Sequence, residues 1–205
     1  MLPEGPSDAK GLELDEEARA RRAAALAQVR TFGDPALNSA ASEVTSFGPE
    51  LKREALRMVK LMRDAMGVGL AATQLGLLHR LLVFQAGPDA TATAIANPVI
   101  EWVSEEDLAT AEEGCLSLPG IVVDVERPLH ARVSGVDVHG RPLTVEASGL
   151  EARVLQHEVD HLDGVLILDR TEREQRRGAL RALREGTAYS PHPEDEEEEE
   201  VDSSA

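Results

Sequence analysis

His157 and His161 stand four residues apart in the run His157-Glu158-Val159-Asp160-His161. On a helix that spacing puts both imidazoles on one face, with Cβ atoms about 5–6 Å apart, so both reach one ion while a glutamate projects beside them. The bland alternative is a solvated polar helix face. Two imidazoles leave a catalytic site one protein ligand short, because such a site uses three and keeps a fourth position open. The longer pattern of metzincin-type proteases would put a third His at position 167, which is Ile167. The only thiol in the chain is Cys115, set in Glu112-Glu-Gly-Cys-Leu-Ser-Leu-Pro-Gly120, where a flexible backbone can approach an ion. Taken alone, it reads more simply as a small buried hydrophobe.

The elements that must position these groups follow from periodicity. Leu155, Val159 and Leu162 form an apolar stripe on the motif's own helix, which runs from Gly149 to a stop at Gly164. Leu51, Ala55, Val59, Met62 and Met66 predict an earlier helix from Pro49 or Glu50 to Met66. Between the two helices the chain is strand-rich. Arg80 to Gln85, Ile121 to Val125, His130 to Val138 and Pro142 to Glu146 are short β-branched or apolar runs punctuated by Pro128, Gly135 and His139-Gly140. Glu13 to Arg30 is an Ala/Glu/Arg helix former, and Thr171-Glu-Arg-Glu174 has the form of a capping box opening a last helix that ends near Gly186.

Composition narrows the class. The 205 residues carry a formal charge of −17, and about half of it lies in residues 185–205, which hold nine acids and no Lys or Arg. That balance argues against DNA binding or a general coat on nucleic acid. One cysteine excludes an intrachain disulfide and fits a reducing compartment. The first residues lack the basic and apolar regions of a secretory signal, and the longest apolar-looking stretch, Gly67 to Phe84, is broken by Gln74, His79 and Arg80. A cytoplasmic protein without membrane attachment is expected. The division expected is an N-terminal helical extension (1–29), a catalytic unit (30–170), an Arg-rich helix (171–186) and a disordered acidic tail (187–205).

Three segments, in order, resemble the peptide deformylase family: Gly67-Val-Gly-Leu-Ala-Ala-Thr-Gln74, Glu113-Gly-Cys-Leu-Ser117 and Gln156-His-Glu-Val-Asp-His-Leu-Asp-Gly164. Weaker likenesses lie in Gly33 to Leu37, Ala96 to Pro98 and Gly164 to Arg170, so the resemblance covers roughly residues 30–170. It implies an α+β fold in which antiparallel β-sheets surround a central helix bearing His157 and His161, with helices added at both ends. It also implies the reaction, removal of the N-formyl group from formylmethionine at the start of new polypeptides, releasing formate.

Carried over to this chain, the resemblance makes Cys115, His157 and His161 the ligands of one divalent ion, with water in the fourth position, and Glu158 the general base and acid. Gln74 and the Leu116 backbone N–H become the oxyanion donors, and Gly69 pairs with the extended substrate. Val68, Leu116, Leu150 and Val154 are the expected methionine pocket, and Glu113 with Arg127 a supporting ion pair. Fe2+ is the ion the family implies, although thiolate and imidazole donors also suit Zn2+, Ni2+ or Co2+. The partners implied are N-formylmethionyl nascent peptides, with ribosome contact through the Arg-rich C-terminal helix. Two rival readings stay open. A metallopeptidase would take Glu172, Glu174 or Glu185 as third ligand in place of Cys115, and a zinc-stabilised binding module would keep the metal without turnover.

Overall fold

Pro49 opens helix α2 (Pro49–Asp64) at the first helical position, where its missing N–H would have had no intrahelical partner. The computed structural model describes residues 15–87 and 90–192. Ahead of α2 lies α1 (Glu16–Leu26), capped by Asp15, whose side chain accepts from Ala18 N–H at 2.7 Å. The expected helix from Glu13 to Arg30 is therefore shorter at its C-terminal end, and residues 1–14 lie outside the described residues. Ala25 and Val29 join the same apolar cluster as α2, so this extension packs into the main core.

A five-stranded antiparallel sheet follows, built from β1 (Gly69–Ala71), β2 (Leu81–Phe84), β3 (Thr93–Val103), β6 (His130–Val136) and β7 (Pro142–Ser148) in the order β1-β2-β3-β6-β7. Strand β2 reads Leu-Leu-Val-Phe without polar alternation because both of its faces are covered. Leu81 and Val83 face Met58 and Met62 of α2, whereas Leu82 and Phe84 face Leu155, Val159 and Leu162 of α3 (Leu150–Leu162). Fully burying each such side chain contributes about 1.5–3 kcal/mol. The helix bearing the histidines thus sits against one face of the sheet, with α2 on the other.

β4 (Leu108–Cys115) and β5 (Leu118–Pro128) form a separate two-stranded hairpin. Strand β4 escapes sequence reading because its residues are mostly exposed and show no alternation; pairing with β5 makes it a strand. The apolar face of the hairpin, Leu118, Ile121, Val123 and Val125, packs against Ile167, Leu168 and two alanines of α4 (Arg173–Glu185), Ala179 and Ala182.

Three further expectations need correction. The buried stripe of α2 is Leu51, Ala55, Met58, Leu61 and Met62; Val59 is only half-buried because two successive i+4 steps rotate it to the rim of the stripe, and Met66, with φ +61°, lies beyond the helix end at Asp64. The N-cap of α4 is Glu172 and makes no capping bond, while the Thr171 hydroxyl donates to Gln175 Oε1 instead. The acidic tail does not begin at 187. Residues 187–192 form a strap along β5, with Val122 N–H donating to Tyr189 O at 2.8 Å and Tyr189 N–H donating to Gly120 O at 2.9 Å. Packing of the Tyr189 ring against Gly178 supplies the apolar contact that a purely acidic segment lacks. Residues 193–205 lie outside the described residues. Among the described residues no helix is long and apolar enough to cross a membrane.

Candidate metal centre

Helix α3 presents His157 and His161 one turn apart, with ring centroids 4.9 Å apart and the planes at 73°. The end of β4 brings Cys115 to them, its Sγ 3.2 Å from His161 Nε2. Donor atoms from the three residues all lie within 4.8 Å of one another. His157 Nδ1 is engaged by Glu113 Oε2 at 3.0 Å, which turns its other ring nitrogen toward the cluster. One sulfur and two nitrogens at this separation fit a divalent ion of the zinc or ferrous type and leave a coordination position free. Glu172, Glu174 and Glu185 are all exposed and take no part in the cluster, which removes the expected third ligands of a peptidase reading.

Glu158 is 4% exposed, and its Oε2 is buried without a hydrogen-bond partner among the described residues. Burial lifts its carboxyl to about 7, against the pull of the two imidazoles, so it is poised to exchange a proton near neutrality. Burial would also raise the Cys115 thiol, but the His161 and His157 rings outweigh it and hold the thiol well below its ordinary range. Glu158 fits only because Gly69 has no side chain: a Cβ there would overlap the Glu158 carboxylate. The glycine expected to admit substrate backbone thus also makes room for Glu158.

Gln74 lies in a 3-10 turn (Ala72–Leu75) after β1. Its Oε1 accepts from Ala71 N–H at 2.9 Å, which aims Nε2 at Cys115 Sγ (3.7 Å) and Ser117 Oγ (3.3 Å). Leu116 is half-buried, and its side chain lies over Gly67. Strand β1 is an edge strand, paired only with β2, so its outer side is open to an added strand beside the cluster. Val68 and Leu150 are exposed and Val154 is buried; Leu150 and Val154 precede Glu158 on the same helical row.

Behind the cluster lies a buried charge network. Glu113 takes two bonds from Arg127 (2.6 and 3.0 Å), and Arg127 also reaches Asp160 Oδ2 at 2.9 Å. Burial works to raise the Glu113 carboxyl, but the bonds from His157 and Arg127 bring it down to about 2. Arg153, Asp160, Arg170 and Ser117 belong to this surround, a place the sequence did not suggest for them. The only signal was that Arg153 and Asp160 share a face of α3 with His157 at i−4 and i+3.

Sulfur and nitrogen donors that could hold a cation, next to a buried carboxylate able to pass a proton, are the equipment of a metal-dependent hydrolase. Residues 26–177 match the family model of polypeptide deformylase. A peptide deformylase from Parafrankia sp. is 44% identical over 174 residues, covering 80% of this chain and 94% of the relative. One from Acidothermus cellulolyticus is 41% identical over 177 residues, covering 82% and 96%. Among solved structures, a peptide deformylase from Synechococcus elongatus in complex with actinonin superposes with a TM-score of 0.72 at 40% identity, over 78% of this chain and 88% of that one. The enzyme from Thermus thermophilus gives 0.72 at 42% identity, over 77% and 93%. The chain belongs to the polypeptide deformylase family, metal-dependent hydrolases that remove the N-formyl group from formylmethionyl peptides.

Proposed function

We propose that this chain deformylates nascent polypeptides with Cys115, His157 and His161 holding one divalent ion and Glu158 moving the proton. The observation that carries this reading is the convergence of the three donors beside the unpartnered oxygen of Glu158. Bound there, a divalent ion supplies the Lewis acidity that brings the pKa of water toward neutrality and polarises the formyl carbonyl. Glu158 takes the proton of the attacking water and returns it to the leaving amine. As charge grows on the formyl oxygen, Gln74 Nε2 and the Leu116 N–H donate to it. The substrate backbone pairs with the open edge of β1 at Gly69, and Val68, Leu116, Leu150 and Val154 line the methionine pocket. Fe2+ is the ion proposed for the cell, with Zn2+, Ni2+ and Co2+ suiting the same donors.

The test is formate release from a formyl-Met tripeptide by anaerobically prepared, iron- or nickel-loaded protein. The parent turns over, and Glu158→Ala keeps its ion while losing roughly 10²–10⁴-fold in rate. A loaded, folded parent that releases no formate would leave a metal-stabilised binding module as the better description.

Ribosome contact rests on α4. Arg173, Arg177, Arg181 and Arg184 are all exposed, recur on one face, and make no ion pair with the described residues. A row of guanidinium groups with no ion pair among the described residues suits phosphate contact, so co-sedimentation with ribosomes is expected to weaken steeply with salt and to disappear when all four are changed to Glu. Salt-independent association, or association that survives those changes, would remove α4 from the interface.

A further inference from the structure

The three metal donors come from two bodies that share no strand hydrogen bonds. His157 and His161 ride on α3, whereas Cys115 ends β4 in the separate hairpin. The apolar face of the hairpin is spent on Ile167, Leu168 and α4, and the apolar stripe of α3 on the five-stranded sheet. What joins helix to hairpin is instead a polar row on α3, namely Arg153, Gln156, His157 and Asp160. Gln156 Nε2 donates to Pro128 O at 3.0 Å, and Asp160 accepts from Arg127.

Arg153 has the widest grip of the four. One guanidinium nitrogen donates to Glu113 Oε1 (2.7 Å) and to Val125 O (2.9 Å), and the other donates to Ala109 O (2.6 Å). A single planar fork thereby ties α3 to both strands of the hairpin and to the carboxylate that orients His157, one turn before His157 itself. Its side chain is 13% exposed, so these bonds are shielded from water.

We infer that Arg153 is a positioning residue for the metal centre: it sets the separation between the Cys115 hairpin and the histidine helix, and it holds Glu113 where that group fixes the His157 ring. This rests on the ligand reading given under Proposed function. Without the fork, Glu113 keeps Arg127 and the fold keeps the Arg127–Asp160 tie, so the loss falls on ligand alignment more than on folding.

The experiment follows release of Ni2+ or Co2+ to a chromophoric chelator, together with the visible spectrum of the cobalt form, in Arg153→Ala, Arg153→Lys and Cys115→Ser. Arg153→Ala is expected to hold the ion roughly 10- to 100-fold more weakly and to alter the cobalt spectrum. Its kcat should fall while KM for a formyl-Met tripeptide stays within about twofold, because the Arg153 guanidinium bonds only to the hairpin and not to β1. Arg153→Lys restores only part of the affinity, since an ammonium cannot fork to both strand carbonyls. A folded Arg153→Ala with parent-like ion release and spectrum, and only a lower melting temperature, would overturn the inference. Should Arg153→Ala not fold, parent-like release and spectrum in Arg153→Lys would do the same. Cys115→Ser separates the two layers: if it holds the ion as tightly as the parent, the ligand reading itself fails; if it loses the ion while Arg153→Ala does not, only the role of Arg153 falls.

Discussion

Glu158 and Gly69 meet from opposite sides of the centre, a buried carboxylate on α3 against a strand residue with no side chain, and the absence of that side chain is what the carboxylate occupies. Gly69→Ala should therefore fold, since the nearest atoms its Cβ would meet are all in the Glu158 side chain and not in backbone, yet push Glu158 out of line with the three donors. We expect kcat for formate release to fall by on the order of 100-fold, the scale of a displaced catalytic group, with the ion retained. Loss of the ion along with activity would mean that Gly69 supports the ligands and not Glu158. At this scale the pairing of His157 with His161 is legible from helical spacing, whereas Cys115 and Glu158 stand out only through the resemblance of the three segments to the family. Arg153 and Asp160 are not legible. Each is an ordinary helical charge until Glu113, Ala109, Val125 and Arg127 arrive from a hairpin whose register no local pattern reveals.

The elements divide by how much of their stability is local. Helices α2 and α3 announce themselves through an apolar row, and β2 through an uninterrupted apolar run, because each is buried along a continuous face. Strand β4 and the strap at residues 187–192 depend on neighbours, so composition misreads both: β4 lacks β-branched density, and the strap is overshadowed by the acidic run that follows it. The strap yields an expectation of unusual sign. Replacing a mid-helix glycine by alanine ordinarily stabilises a helix by about 1 kcal/mol. At Gly178 the new Cβ would overlap the Tyr189 ring. Gly178→Ala should keep α4 helical but release the strap, seen as faster amide exchange at Tyr189 and Val122. Exchange unchanged at both, with a higher melting temperature, would show that the ring moves aside without loosening the strap.

Taken whole, the molecule is a sheet with helices on both faces and a hairpin that packs its apolar face on α4 and meets α3 through a polar row beside the three candidate donors. Because the donors are contributed from both sides of that junction, an ion that binds only the native state adds its binding free energy to folding. At an ion concentration about 100 times Kd that is about 2.7 kcal/mol, or roughly 5–10 °C in melting temperature for a chain of this size. Chelation should lower the midpoint of the parent by that amount and leave Cys115→Ser unmoved; equal shifts in both would place the ion elsewhere. The charge distribution acts on the same scale, since the exposed arginine row of α4 stands on a chain of formal charge −17 and polyanion contact there must overcome that repulsion. The solitary sulfur has a practical corollary. A chain with one cysteine, placed inside the centre, has a single alkylation site, and an ion seated on Cys115 covers it. The extra fraction of molecules that takes a maleimide mass tag once a chelator is added therefore counts occupied copies, with no substrate and no turnover required.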